Sequence, residues 1–124
     1  MSVFKDQEKF MVACDQSVDK FNNDQFTMYV KLIAEESQEL IDAITASDKV
    51  ETLDALIDIL VVTIGAIHSM GADAEGAWDE VMRTNFAKID LDTGKVNKRE
   101  DGKVLKPEGW KAPELAQFVE KINL

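Results

Sequence analysis

No glycine or proline occurs before Gly65, and all six glycines and both prolines fall between that point and Pro113. The first half of the chain thus lacks the residues that most readily end a helix, so long helices are its natural outcome. The apolar spacing agrees. Phe4, Phe10, Met11, Cys14, Val18 and Phe21 recur at mostly helical intervals, which predicts an amphipathic helix from about Val3 to Phe21. Phe21-Asn22-Asn23-Asp24 offers turn and N-cap chemistry, and Met28, Leu32, Ile33, Leu40, Ile41 and Ile44 then mark a second stripe that fades near Thr45 to Ser47. Asp48, with Glu51 three residues on, predicts the start of a third helix that runs to His68 or Ser69 and stops at Gly71. Asp73 opens a fourth, with Ala77, Trp78, Val81, Met82 and Phe86 on its apolar side and an end near Lys88.

Beyond Lys88 the character changes. The stretch Leu91 to Leu115 is rich in Gly, Pro and charge and has no long apolar period, so an arm or hairpin-like loop is expected. Pro113, Glu114 and the pattern Leu115, Phe118, Val119, Ile122 predict a short closing helix. A length of 124 residues supports one domain, residues 1–124, divided into a helical body (about 1–88) and an arm with its closing helix (about 89–124). Four short helices leave Trp78, Phe86 and the all-round apolar third helix hard to cover within one subunit. A helical bundle completed by homo-oligomerisation follows.

Charge narrows the function. Fourteen basic residues face twenty-four acidic ones, a net charge of −10, which opposes a role in coating nucleic acid or an anionic membrane. The imbalance is uneven: residues 1–82 hold 5 basic and 17 acidic side chains, whereas residues 83–124 hold 9 and 7. An acidic body carrying a slightly basic tail suits a cation in the body and phosphates near the tail. The single cysteine, Cys14, excludes an internal disulfide, and the charged start has no secretory apolar core. The most apolar run, Leu56 to Ile67, is broken by Asp58 and is too short to span a bilayer, so a cytoplasmic protein is expected.

Between Lys31 and Arg83 the only base is Lys49, yet twelve carboxylates lie there. Solvated helix faces normally interleave signs. Glu36 and Glu39 are three residues apart and share a helix face, with Glu35 about 100° to one side of Glu36. On the third helix Glu51, Asp54 and Asp58 fall within an arc of about 60°. Asp58 sits among Leu56, Ile57, Ile59, Leu60, Val61 and Val62, where an unpaired carboxylate pays a large desolvation penalty. A bound divalent cation would offset it, and a magnesium ion held by a few carboxylates completes its shell with water and substrate phosphate. The competing reading is a solubilising acidic face, with Asp58 protonated or paired to Arg83 or Lys88. His68, alone near a helix end, reads as a packing residue, and Cys14 has no partner for thiol catalysis.

Three motifs occur in order: Glu35-Glu36-Ser37-Gln38-Glu39-Leu40; Asp54 to Ala66 followed by Gly71 and Asp73; and Val81-Met82-Arg83-Thr84-Asn85-Phe86-Ala87-Lys88. Together they resemble the MazG-like all-α nucleoside triphosphate pyrophosphohydrolases, and the segment Asp101 to Trp110 resembles the arm of a phage-like and dUTPase-like subgroup. The resemblance covers about residues 28–120. It implies a four- to five-helix all-α subunit, paired as a homodimer or homotetramer, that hydrolyses a (d)NTP to the monophosphate and pyrophosphate with Mg2+, for which Mn2+ can substitute. Nucleotide-pool control or house-cleaning would be its task, with no nucleic acid polymer or membrane as partner.

Carried over by position, Glu36, Glu39 and Asp58 would be metal ligands, and Glu35 an outer-shell ligand or water-orienting base. Many members place a Glu three residues before the Asp that matches Asp58; this chain has Ala55 there and Asp54 one position earlier. Asp54 is therefore the fourth ligand, with Glu51 in reserve. Asn85 and Lys88 match the family's N-x-x-K and are expected to reach phosphate, with Arg83, Lys103 and Lys106 adding charge. Trp110 either stacks on the base or anchors the arm. Base preference and the phosphorus attacked stay open, and a non-catalytic acidic oligomerisation module binding a basic partner is the alternative.

Overall fold

The computed structural model of the chain describes residues 2–119. These residues form four α-helices, α1 (Val3–Ala13), α2 (Asn23–Thr45), α3 (Lys49–Ser69) and α4 (Ala74–Phe86), and one 3-10 turn over Ala116–Phe118. Among the described residues no strand forms, and the arm carries only the isolated antiparallel bridges Ile89 to Val96 and Lys98 to Val104. The fold is all-α, as the helical spacing and the resemblance both imply. Two compact units divide it, one carrying α1 to α3 and ending at Ala74, the other running from Glu75 to Phe118. The division thus falls at the first residue of α4.

α1 is shorter than its apolar spacing predicts. It stops at Ala13 because Asp15 takes a left-handed conformation (φ 59°) while Gln16 N–H donates to the Met11 carbonyl and Asp15 N–H to that of Val12. That pair of bonds is a Schellman closure, with an acidic residue where glycine is usual. The same device ends α2: Ser47 is left-handed (φ 56°), Ser47 N–H donates to Ile44 and Asp48 N–H to Ala43. Asp48 then caps α3, its carboxylate accepting from Glu51 N–H at 3.0 Å as expected. Two residues, Ala46 and Ser47, therefore separate the α2 closure from the α3 cap, and α2 and α3 form a tight helical hairpin. Gly71 (φ 73°) ends α3 as predicted; a side chain there would also meet the Lys20 backbone at 2.7 Å.

The core of the first unit is built from Met11, Tyr29, Val62 and Ala66, with Val18, Phe26, Leu32 and Ile33 against it. Gly65 exists to admit Tyr29, because a Cβ there would lie 2.3 Å from the ring. The phenol hydroxyl donates to Gln16 Oε1. Buried Ser69 joins the α1–α2 connection to α3: its hydroxyl accepts from Gln25 Nε2 (2.8 Å) and its carbonyl accepts from Asn22 N–H (2.9 Å). His68 Nε2 donates to the Phe4 carbonyl at 2.8 Å, pinning α1, which is the packing role expected of it. This core occupies the α1 end of the hairpin. Toward the α2–α3 turn, Ile41, Ile44, Val50, Leu53, Leu56, Ile57 and Leu60 remain exposed.

Among the described residues a 3-10 turn stands where the closing helix is expected, with Phe118 N–H donating to Leu115; Ile122 lies outside the described residues. No described helix is long and apolar enough to cross a membrane.

Candidate active site

Four carboxylates meet on the α2–α3 seam. On an ideal helix Glu36 and Glu39 lie on the side of α2 that carries Tyr29 and Ala43, and Asp54 and Asp58 on the side of α3 that carries Ala55 and Val62. Those neighbours are buried, and beside them Glu36 and Asp58 are half-buried while Glu39 and Asp54 stay exposed at the rim. The electrostatics agree. Glu36 is lifted from 4.5 to about 7, first by hydrogen-bonding contact with Glu39, then by burial and by the charges of Glu39, Asp58 and Asp54. Asp58 is raised by burial, then by its neighbour Asp54 and by Glu39. Glu36 and Asp58 thus each feel at least one carboxylate of the opposite helix.

No base among the described residues forms an ion pair with them. Among the described residues the ion pairs are Lys5 with Glu8, Arg83 with Glu80, and Arg99 with Asp101, all elsewhere. Glu36 Oε2 is shielded from solvent and has no hydrogen-bond partner, an orphaned buried acceptor in the middle of the acidic seam. A buried carboxylate oxygen without a donor is costly, and a proton or a cation must satisfy it. An oxygen-only donor set of this kind fits a hard divalent cation. Among the described residues, however, no three acidic, imidazole or thiol groups stand close enough together to hold a metal ion as the side chains lie. The seam is an open acidic surface on which each helix pairs its own two carboxyls, Glu36 with Glu39 and Asp58 with Asp54.

Beside the quartet lies a groove of about 540 Å³, lined by Glu39, Asp42, Ala43, Ala46, Asp48, Glu51, Asp54 and Ala55. Ala43 and Ala55 make it possible: two buried small residues face each other where larger side chains would close the seam. Glu51, the reserve ligand, is on this wall together with Asp54. Asp42 was not singled out from the sequence; it holds its place by accepting from Gln38 Nε2 at 3.0 Å. Its spacing of three from Glu39 is the signal that would have found it. Glu35 is exposed, one residue from Glu36 and off the seam.

The expected phosphate-binding residues lie in the second unit, where most have local partners. Arg83 Nε and Nη2 donate to both carboxylate oxygens of Glu80, at 2.8 and 3.0 Å, and Glu80 also accepts from Glu114 N–H at 2.8 Å. These contacts hold Glu80 down at about 2. Glu80 therefore ties α4 to the arm's end, and Arg83 is engaged in holding that carboxylate. Lys88 Nζ donates to Asn85 Oδ1 at 3.2 Å, so the N-x-x-K pair is joined across one turn. Trp110 is an anchor: its Nε1–H donates to the Thr84 carbonyl at 2.7 Å, and the ammonium groups of Lys88 and Lys106 stand 5.0 and 4.9 Å from its ring centroid. Lys103 bonds through its backbone, donating from N–H to Asp101 Oδ1.

A family model described as phosphoribosyl-ATP pyrophosphohydrolase matches residues 8–85. A search of curated proteins finds no match. The matched stretch holds the carboxylate quartet, Arg83 and Asn85, and ends before Lys88 and the arm. It spans well over half of the chain, and with the all-α architecture it establishes that the chain belongs to the phosphoribosyl-ATP pyrophosphohydrolase family, an all-α relative of the MazG-like pyrophosphohydrolases.

Proposed function

We propose that the protein hydrolyses a nucleoside or deoxynucleoside triphosphate, or a closely related nucleotide, to the monophosphate and pyrophosphate, with magnesium as cofactor. The observation that carries this reading is the orphaned Glu36 Oε2 within four carboxylates that have no basic partner among the described residues. Glu36, Glu39, Asp54 and Asp58 would hold the cation, with Glu51 on the groove wall as a fifth donor. A cation bound there neutralises phosphate oxygens and acidifies water. Glu35, exposed one residue from Glu36, would orient the attacking water and take its proton while the α–β anhydride bond breaks, with pyrophosphate leaving if the α phosphorus is attacked and the monophosphate if the β phosphorus is. The open groove between Ala43 and Ala55 gives the substrate a route to the acids. Its walls offer carboxylates and no base-reading pattern, so specificity has to come from elsewhere in the assembly.

A homodimer or homotetramer is part of the same proposal. Leu53, Leu56, Ile57 and Leu60 form an exposed apolar strip on α3, on the side away from the acidic arc, and a second copy is the covering that a helical bundle of this kind calls for. The phage-like and dUTPase-like resemblance of the arm makes deoxynucleotides such as dUTP, dCTP and dGTP the first to try, alongside the phosphoribosyl-ATP of the family's name.

The test is a panel of these nucleotides with magnesium, scored for pyrophosphate. Release that disappears with a chelator supports the reading. No release from any of them, with magnesium or manganese, would return the acidic face to a non-catalytic role in binding a basic partner. Isotope-labelled water, traced into the monophosphate or the pyrophosphate, identifies the phosphorus attacked.

A further inference from the structure

The second unit gathers two positive charges on one ring. Lys88, two residues past the end of α4, and Lys106, in the arm, both place their ammonium groups against Trp110, at 5.0 and 4.9 Å from its centroid. Sharing that centroid, the two nitrogens are no more than about 10 Å apart, within the reach of one polyphosphate anion. Neither has a carboxylate partner among the described residues. Like charges do not converge without a cause, and here the cause is the ring: its faces attract cations, and its edge is fixed by the Nε1–H bond to the Thr84 carbonyl. That carbonyl belongs to the last turn of α4, where the Lys88 N–H turns instead to Asn85. The indole therefore takes up an acceptor that the helix end leaves free. Asn85 Oδ1 orients Lys88 from the other side.

We infer that Trp110 is a positioning residue that assembles Lys88 and Lys106 into a paired ammonium site for the phosphate chain of the nucleotide. Lys106 and Trp110 lie beyond the family-matched residues, so this site is a feature of this chain's arm. The inference rests on the pyrophosphohydrolase reading for the identity of its ligand, but the anion site itself does not need turnover.

The experiment measures binding of inorganic pyrophosphate to the full chain by calorimetry, in chelator, so that the acidic seam takes no part through a metal. The parent should bind, with an affinity that falls steeply as salt rises. Lys106→Gln should weaken binding about ten-fold and Lys106→Arg should keep it, one charge-assisted contact being of that size. Trp110→Leu should weaken it to a similar extent, and combining it with Lys106→Gln should add little, because the ring acts through the lysines. Should Trp110→Leu fail to fold, Trp110→Phe, with a weaker ring and no indole N–H, should show the same effect at smaller size. In turnover the Trp110 variants should raise KM with kcat little changed.

A parent that binds no pyrophosphate, or a folded Trp110 variant with lower thermal stability and parental affinity, overturns the inference and leaves Trp110 as a packing anchor. If the pattern of affinities holds while no nucleotide is hydrolysed, the anion site stands and the proposed activity falls.

Discussion

Glu36→Gln separates the electrostatics of the seam from its shape. Glu36 has an ordinary value of 4.5 and sits at about 7 in the folded chain, raised first by Glu39 and then by burial. The folded state therefore binds a proton that the unfolded chain has already lost between these values, and stability in the absence of metal must fall as pH rises from about 4.5 to about 7. A shift of that size corresponds to about 3 kcal/mol with no screening, and to about 1 kcal/mol once water screens the exposed flanks at Glu39 and Asp54. For a chain of this length that is about 3–6 °C in Tm. Glu80 does not confuse the result. Its value is held at about 2, so its stabilisation is present above 4.5 and is lost only as pH falls through 2. Thermal melts in chelator at pH 5 and pH 8 should thus show the parent less stable at pH 8, and Glu36→Gln should recover most of that difference while matching the parent at pH 5. Magnesium at pH 8 should raise the Tm of the parent and not of the variant. A parent whose metal-free stability is flat or rising across the window would refute the convergence of the quartet.

Asp58→Asn keeps the shape and removes a charge that burial already disfavours; steady-state assays should show activity falling by at least about 100-fold with the metal-free fold intact or slightly firmer. Parental turnover at equal magnesium would take Asp58 out of the site. Light scattering at micromolar concentration should report at least a dimer, and Leu56→Asp, in the exposed strip of α3, should reduce it to a monomer. A monomeric parent would sink that assignment. Gly65→Ala drives a methyl to 2.3 Å from the Tyr29 ring, and urea denaturation should show a loss of about 1–3 kcal/mol. An unchanged midpoint would mean that the ring can move aside freely.

Periodicity was enough to find α2, α3 and α4 to within two residues at each end, because each is bounded by strong local chemistry: Asn22 and Asp48 cap two of the starts, and Gly71 ends α3. It overran α1, since Val18 and Phe21 continue the apolar spacing on the far side of a left-handed Asp15. A conformation that an aspartate adopts only when the following bonds close around it is not visible in composition. The acid quartet was legible because the spacing within each helix fixes a face, and the buried residues on those faces then orient the two pairs toward one another. Arg83 was less so. The sequence offers it as a phosphate ligand, yet Glu80 stands one turn before it and the arm supplies Glu114 N–H to the same carboxylate, a long-range contact that no local pattern announces. Trp110 shows the same limit, its function being set by the Thr84 carbonyl 26 residues away.

The first unit is held together at one end and charged at the other, and the two facts have a common cause. Met11, Tyr29, Val62 and Ala66 pack where α1 lies against α3, and the Ser69 and His68 bonds fasten that end. Toward the α2–α3 turn, Ala43 and Ala55 keep the seam open, so the acids have room, and the outer apolar residues, Leu53 and Leu56 among them, stay exposed. A larger residue at either alanine would improve packing and close the groove. The half that carries the acids is thus the half with least intrinsic stability, and anything that binds only the folded state acts on it directly. A cation on the quartet and a second copy on the α3 strip would then stabilise the same helical turns from opposite sides. Each would favour the other, without any contact between the metal and the interface.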